Sequence, residues 1–299
     1  NTGRFLTFGG YNDVTVIDYF ETGSAGNATD FGDLATGGSN GEATANSTIA
    51  MFYYGKRSGA SNNNIIEKVN VSSTGNATDY GDAGESGDDR GGSCNSDTIS
   101  LTGGAWTGAY SNMIDKKLFA TDGNASDFGN LTAGAYRSSG GGSNGTKGII
   151  RVGGSTSGGS TQAIDTVVIA SDGDATDFGD IGYAAHQHTG ASGSTKGFVA
   201  TGWTNGSYFD HIRVYNISSN GNATDFGDVD IARFDGDSAA DKINCFTVLG
   251  QNSSGSNDVD QIDRWIQASA GNATDFGDLT ARSNTQGGNC ACANNGGIE

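Results

Sequence analysis

The sequence predicts an all-β fold, a six-bladed β-propeller whose ring is closed by the C-terminal strand joining the N-terminal blade. Three observations predict it. A nine-residue phrase recurs six times, as GNATDFGDL from Gly26, GNATDYGDA from Gly75, GNASDFGNL from Gly123, GDATDFGDI from Gly173, GNATDFGDV from Gly221 and GNATDFGDL from Gly271. Its aromatic falls at Phe31, Tyr80, Phe128, Phe178, Phe226 and Phe276, at intervals of 49, 48, 50, 48 and 50 residues, and a fixed period of that size defines an architecture. Between phrases the apolar segments are short, rich in β-branched and aromatic residues, and alternate with period two, which is the pattern of strands. With 51 glycines and no proline, no segment reads as a long capped helix.

The elements follow in a constant order. An apolar run ends in glycine, as in GRFLTFGG (3–10), ISLTGG (99–104), GIIRVGG (148–154), GFVATG (197–202) and CFTVLG (245–250). After a polar loop comes an alternating segment such as VTVIDYF (14–20), IIEKVNV (65–71), IDTVVIA (164–170), HIRVYNI (211–217) or IDRWIQA (262–268). The shared phrase is next, and a small-residue stretch leads back to the following apolar run. Four short strands in about 49 residues match one propeller blade, a four-stranded antiparallel sheet whose radial packing leaves only short protected edges.

The chain therefore reads as a single domain, 1–299, with sequence units at about 1–46, 47–94, 95–143, 144–192, 193–242 and 243–299. The opening NTGRFLTFGG resembles the second strand of a unit, and GGNCACANN (287–295) aligns with the first-strand stretch of the others. The tail is thus expected to supply the strand that the first blade lacks, removing two open edges. On that reading the propeller is complete, while the start at Asn1 without methionine points to a processed or truncated product.

Glycine-ending strand, loop, alternating strand and aromatic-bearing phrase together resemble the kelch repeat family. Gly9-Gly10, Gly103-Gly104 and Gly153-Gly154 match that family's glycine doublet, the other units keeping only Gly55, Gly202 and Gly250. The phrase itself is similar to the kelch-like GNATDFGDLT repeats of structural proteins of aquatic tailed phages, over the whole chain. That resemblance implies a virion or appendage component.

Elementary chemistry gives the phrase a structural role. Asp30, Asp79, Asp127, Asp177, Asp225 and Asp275 have short side chains that can bond nearby backbone N–H groups and pin a turn. Phe31, Tyr80, Phe128, Phe178, Phe226 and Phe276 can fill the space between sheets. Oxygens at Asn27, Thr29, Asp30 and Asp33 offer a less favoured alternative, a calcium cage; no other cofactor is expected. Twelve N-x-S/T sequons, at Asn27, Asn46, Asn70, Asn76, Asn124, Asn130, Asn144, Asn205, Asn216, Asn222, Asn252 and Asn272, are candidate N-glycosylation sites. The fourth unit has Asp174 at the phrase position, so a glycan there is permitted by the fold and not required.

Few residues suggest catalysis. His186 and His188 form an i,i+2 pair that would share one strand face and could hold a metal, whereas His211 reads as an ordinary strand position. Of the four cysteines, Cys245 with Cys290 or Cys292 is a candidate disulfide across the ring closure, reduced buried thiols being the alternative; Cys94 is too far round the ring. No G-x-S-x-G elbow occurs, and the arginines are scattered, so no catalytic residue is assigned and a non-enzyme is expected. Trp106, Tyr110, Trp203 and Tyr208 lie in variable loops, where a propeller presents binding surfaces; Trp265 reads as core.

The formal charge of −18 excludes a phosphate-backbone or anionic-membrane binder, and no apolar stretch is long enough to span a bilayer. The functional expectation is a non-enzymatic extracellular or virion-surface propeller, structural or adhesive, presenting loops to itself, to neighbouring subunits or to a host surface. The alternative is a carbohydrate-binding propeller that engages host glycans through its loop aromatics.

Overall fold

A computed structural model describes residues 3–10, 14–57, 63–138, 141–204, 206–252 and 259–280, and the backbone of Cys290–Ala293. Among these residues there is no helix, and six small antiparallel sheets stand as blades around an axis. From axis to rim the first blade is Cys290–Ala293, Arg4–Phe8, Val16–Glu21 and Thr29–Asp33. The second is Glu42–Ala45, Ile49–Tyr53, Asn63–Asn70 and Thr78–Gly87. The third is Gly92–Asn95, Ile99–Gly103, Met113–Leu118 and Ser126–Asn130. The fourth is Gly142–Ser143, Lys147–Val152, Gly159–Val168 and Thr176–Ala185. The fifth is Thr189–Ser192, Lys196–Ala200, Ser207–Asn216 and Thr224–Phe234. The sixth is Asp237–Ala240, Asn244–Val248, Gln261–Ile266 and Thr274–Asp278.

The ring closes as the sequence predicts. Cys290–Ala293 pairs antiparallel with the first strand, Phe5 opposite Ala293 and Phe8 opposite Cys290. Each sequence unit consequently straddles two blades, holding the three outer strands of one and the innermost strand of the next. The innermost strands lie side by side around the axis, and Cys290–Ala293 sits between those of the sixth and second blades.

The aromatic of the phrase packs where expected, between blades. Phe31 is buried with Phe52, Val69 and Val71 of the second blade, Phe128 with Ile150, Val167 and Ile169 of the fourth, and Phe276 with Phe5 and Phe20 of the first. Burying each ring contributes about 1.5–3 kcal/mol.

The phrase is, however, a strand and not a turn. Thr29–Asp33 and its five counterparts are the rim strands, with the acidic residue exposed and the aromatic buried. The period-two signal was masked because only one residue of the five is apolar. Asp30 Oδ1 does accept from a nearby backbone amide, that of Gly32 at 3.1 Å, and Asp79, Asp127 and Asp275 repeat the contact.

What the phrase builds is a belt around the rim. The Gly75 amide donates to the Phe31 carbonyl and the Ala77 amide to the Asp33 carbonyl, each at 2.8 Å. In return the Asp33 amide donates to Asn76 Oδ1 at 3.1 Å. The head of one phrase thus clasps the tail of the preceding one. Asn124, Asn222 and Asn272 accept in the same way, and Asn27 closes the circle by accepting from the Asp278 amide. Gly32 is required by this approach: it has φ 150°, and a Cβ there would lie 2.4 Å from the Gly75 carbonyl oxygen.

One clasp is inverted. Between the third and fourth blades the tail residue is Asn130 and the head residue is Asp174, the two departures from the consensus. They face each other, the Asn130 amide and side-chain Nδ2 both donating to Asp174 Oδ1, at 2.9 and 3.1 Å. An aspartate at both places would set like charges in contact.

A second, buried tie runs beneath the belt. The third strand of five blades carries an acid at one register, Asp18, Glu67, Asp115, Asp165 and Asp263, opposite the first Asp of the phrase. Glu67, Asp115 and Asp165 accept from the amides of Ala35, Gly84 and Thr132 in the preceding blade. Asp263 holds the fully buried guanidinium of Arg233. The fifth blade has Arg213 at this register.

The candidate disulfide through Cys245 does not form. Cys245 is a free, buried thiol, packed with Phe198 and Ala191 of the fifth blade. Its neighbour Phe246 takes the face toward the first blade, so strand alternation turns Cys245 away from the closing strand. The side chains of Cys290 and Cys292 lie outside the described residues. Cys94 is likewise free and buried.

Candidate functional site

Antiparallel blades give the disc two unlike faces. On one, the crossover face, the chain passes from the rim of one blade to the axis of the next, and the loops between second and third strands open. On the opposite face lie the hairpins joining the first strand to the second, and the third to the fourth.

At the axis of the crossover face five residues occupy equivalent positions, one per crossover: Asn40, Asp89, Arg137, Gln187 and Asp235. All have φ between 44 and 59°, a conformation uncommon for residues other than glycine. Their side chains meet. Asn40 Nδ2 donates to Asp89 Oδ1, Arg137 Nε to Asp89 Oδ2 at 2.9 Å, and Gln187 Nε2 to Asp235 Oδ1. Burial raises the Asp89 carboxyl above the usual carboxylate range, with the Arg137 guanidinium opposing. Sequence reading missed this set because four different residue types, Asn, Asp, Arg and Gln, share the five positions; the signal available was the 48–50-residue spacing that they share with the phrase.

Two aromatic groups flank the axis on this face. Trp106, Tyr110 and Tyr136 touch with centroids 5.2–5.5 Å apart, all half-buried, and Arg137 lies 5.4 Å from the Tyr136 ring. On the fifth blade Trp203 and Tyr208 contact Phe234 at 6.2 and 5.4 Å. The structure thus brings the four loop aromatics into two groups and adds Tyr136 and Phe234 to them. Trp265 is buried in the core, as its alternating strand predicts.

His186 and His188 are not displayed on one strand face. Gln187 between them has φ 59°, which breaks the extended geometry. His186 packs on Trp203, centroids 4.9 Å apart. His188 is buried, its Nδ1 donating to the Thr201 carbonyl at 3.1 Å, and burial pulls its imidazole down to about 4.

The sequons segregate by face. Asn46 and Asn144 sit in first hairpins, and Asn27, Asn70, Asn76, Asn124, Asn216, Asn222 and Asn272 at or within the loops between third and fourth strands, all on the opposite face. Asn27, Asn76, Asn124, Asn222 and Asn272 are exposed and use Oδ1 in the belt, which leaves Nδ2 the atom for a glycan. At Asn46 and Asn130 Nδ2 is engaged, by the Asp97 carbonyl and by Asp174. Asn252 is half-buried on the crossover side, and Asn205 lies outside the described residues. The oxygens of the suggested calcium cage serve separate partners: Asn27 the sixth blade, Asp30 its own Gly32, and Asp33 the Thr15 hydroxyl at 2.9 Å.

Repeated chemistry is therefore spent at the rim, and unrepeated chemistry gathers on the crossover face. No protein-family model matches the chain, and no curated protein matches it.

Proposed function

We propose that the protein is a non-enzymatic structural or adhesive disc of an extracellular or virion surface, which presents its crossover face to a neighbouring subunit or a host surface. One observation carries the reading: the phrase residues are used up in holding blade to blade, whereas divergent aromatic and charged residues collect on one face. The resemblance of the repeat to kelch units and to structural proteins of aquatic tailed phages supports a virion or appendage setting. Replacing loops 105–110 and 203–208 by Gly/Ser tests it. The variant should keep its thermal unfolding transition and lose association with the neighbouring subunits or host surface; unchanged association refutes the reading.

The Trp106–Tyr110–Tyr136 and Trp203–Tyr208–Phe234 groups favour a second reading, carbohydrate binding through aromatic faces. A glycan array separates the two. Selective binding lost in Trp106→Ala and Trp203→Ala supports the lectin-like reading, and absence of selective binding supports the structural one.

A further inference from the structure

The fifth blade departs from its sisters at one place on the rim. Its third and fourth strands set His211 opposite Asp228, the last acid of the phrase. At the same register the other blades place Val16, Ile65, Met113, Ala163 and Gln261. Between Phe209 and His211 the ladder shifts register, four rim-strand residues, 229–232, standing against the single Asp210. Asp210 Oδ1 and Asp228 Oδ1 each lie 3.5 Å from His211 Nδ1. The second and fourth blades have the same shift, but Asn64 and Gln162 stand at the place of Asp210, without an adjoining imidazole.

We propose that Asp210, His211 and Asp228 form a binding site for a first-row divalent transition-metal ion of the zinc type. The three donor atoms all lie within 4.8 Å of one another. With two sides of 3.5 Å and the third no longer than 4.8 Å, a point equidistant from them lies within about 2.4 Å of each, which reaches the bond lengths of zinc to imidazole and carboxylate. An imidazole in the donor set favours zinc, cobalt or nickel over calcium and magnesium. The imidazole is held from outside the triad: Tyr183, on the rim strand of the fourth blade, packs edge-on against it at 5.8 Å, and Phe209 lies at 5.7 Å. The side chains of His211 and Asp228 are 43% and 45% exposed, so coordination positions remain open to water or to a donor from outside the chain. Three protein ligands with open positions are the arrangement of an ion that engages a further group.

The test is titration of the full chain with Zn2+ by calorimetry and with Co2+ by visible absorption. One equivalent should bind, with a Co2+ d–d band, and His211→Ala should weaken binding at least 100-fold. Asp210→Asn and Asp228→Asn should each weaken it at least 10-fold, the backbone clasp of Asp228 to Asn272 being retained. Circular dichroism and the unfolding transition check that each variant is folded. Stoichiometric binding that survives His211→Ala, or only non-saturable binding in the wild type, overturns the proposal.

Discussion

The rim and the crossover face are built from the same six units and obey different rules. At the rim every junction repeats the bond of the Ala amide to the tail carbonyl and of the tail amide to the head side chain, so the head residue of each phrase is matched to the tail residue of the one before. The Asn130–Asp174 junction makes the point, since both residues changed and the contact survived. On the crossover face, equivalent positions hold Asn40, Asp89, Arg137, Gln187 and Asp235. Their shared backbone conformation is imposed by the crossover, and their side chains are free to differ. Repetition thus marks what holds the disc together, and divergence marks what it offers outward.

Three measurements break or sharpen that contrast. The largest effect is expected between blades. Asp263→Ala leaves Arg233 buried without its counter-ion and should cost about 3–5 kcal/mol in denaturant unfolding, whereas a pair of loop-aromatic replacements should leave the transition in place.

Next is a pH dependence on the crossover side. His188 is held neutral in the fold, its imidazole lowered to about 4 by burial. The unfolded chain takes up the proton first, so stability is lost as pH falls from about 6.5 towards about 4, by up to about 3 kcal/mol. Asp115, raised to about 6 by burial, works in the opposite sense, gaining stability as pH falls. The His188 contribution is therefore read as the difference between wild type and His188→Gln, whose unfolding free energy should lack that part of the slope. Equal slopes would show that His188 is not held neutral.

The smallest effect tests complementarity at the belt. Asn130→Asp should destabilise by about 0.5–1 kcal/mol by placing a second negative charge against Asp174. Adding Asp174→Asn recreates the clasp of the other five junctions and should recover most of that loss, a coupling read from a double-mutant cycle. Additive effects would mean that the two residues do not sense each other.

The architecture was legible because the phrase is a strand, a clasp and an inter-blade plug at once, and all six copies preserve its spacing. Its conformation was less legible: a rim strand exposed on one side has no apolar alternation, so Asp-Phe-Gly-Asp reads as a turn. The binding face was half legible. Loop aromatics announce themselves by type, while the axial ring shows only as a shared interval. The Asp210–His211–Asp228 cluster was not legible, since adjacent residues in a strand give no reason to expect both side chains to converge. The Cys245 pairing failed for the converse reason, since plain alternation turned the thiol away.

Because the Asn of each phrase completes the clasp of the preceding Asp, every unit carries a plug at its head and a socket at its tail. An extra copy inserted at an ordinary junction would find both neighbours already fitted to it, so blade number can change by duplication without redesign of the seam. The third and fourth blades are the exception: their plug and socket are keyed to each other, which fixes that pair as the one order in the ring that shuffling would not preserve.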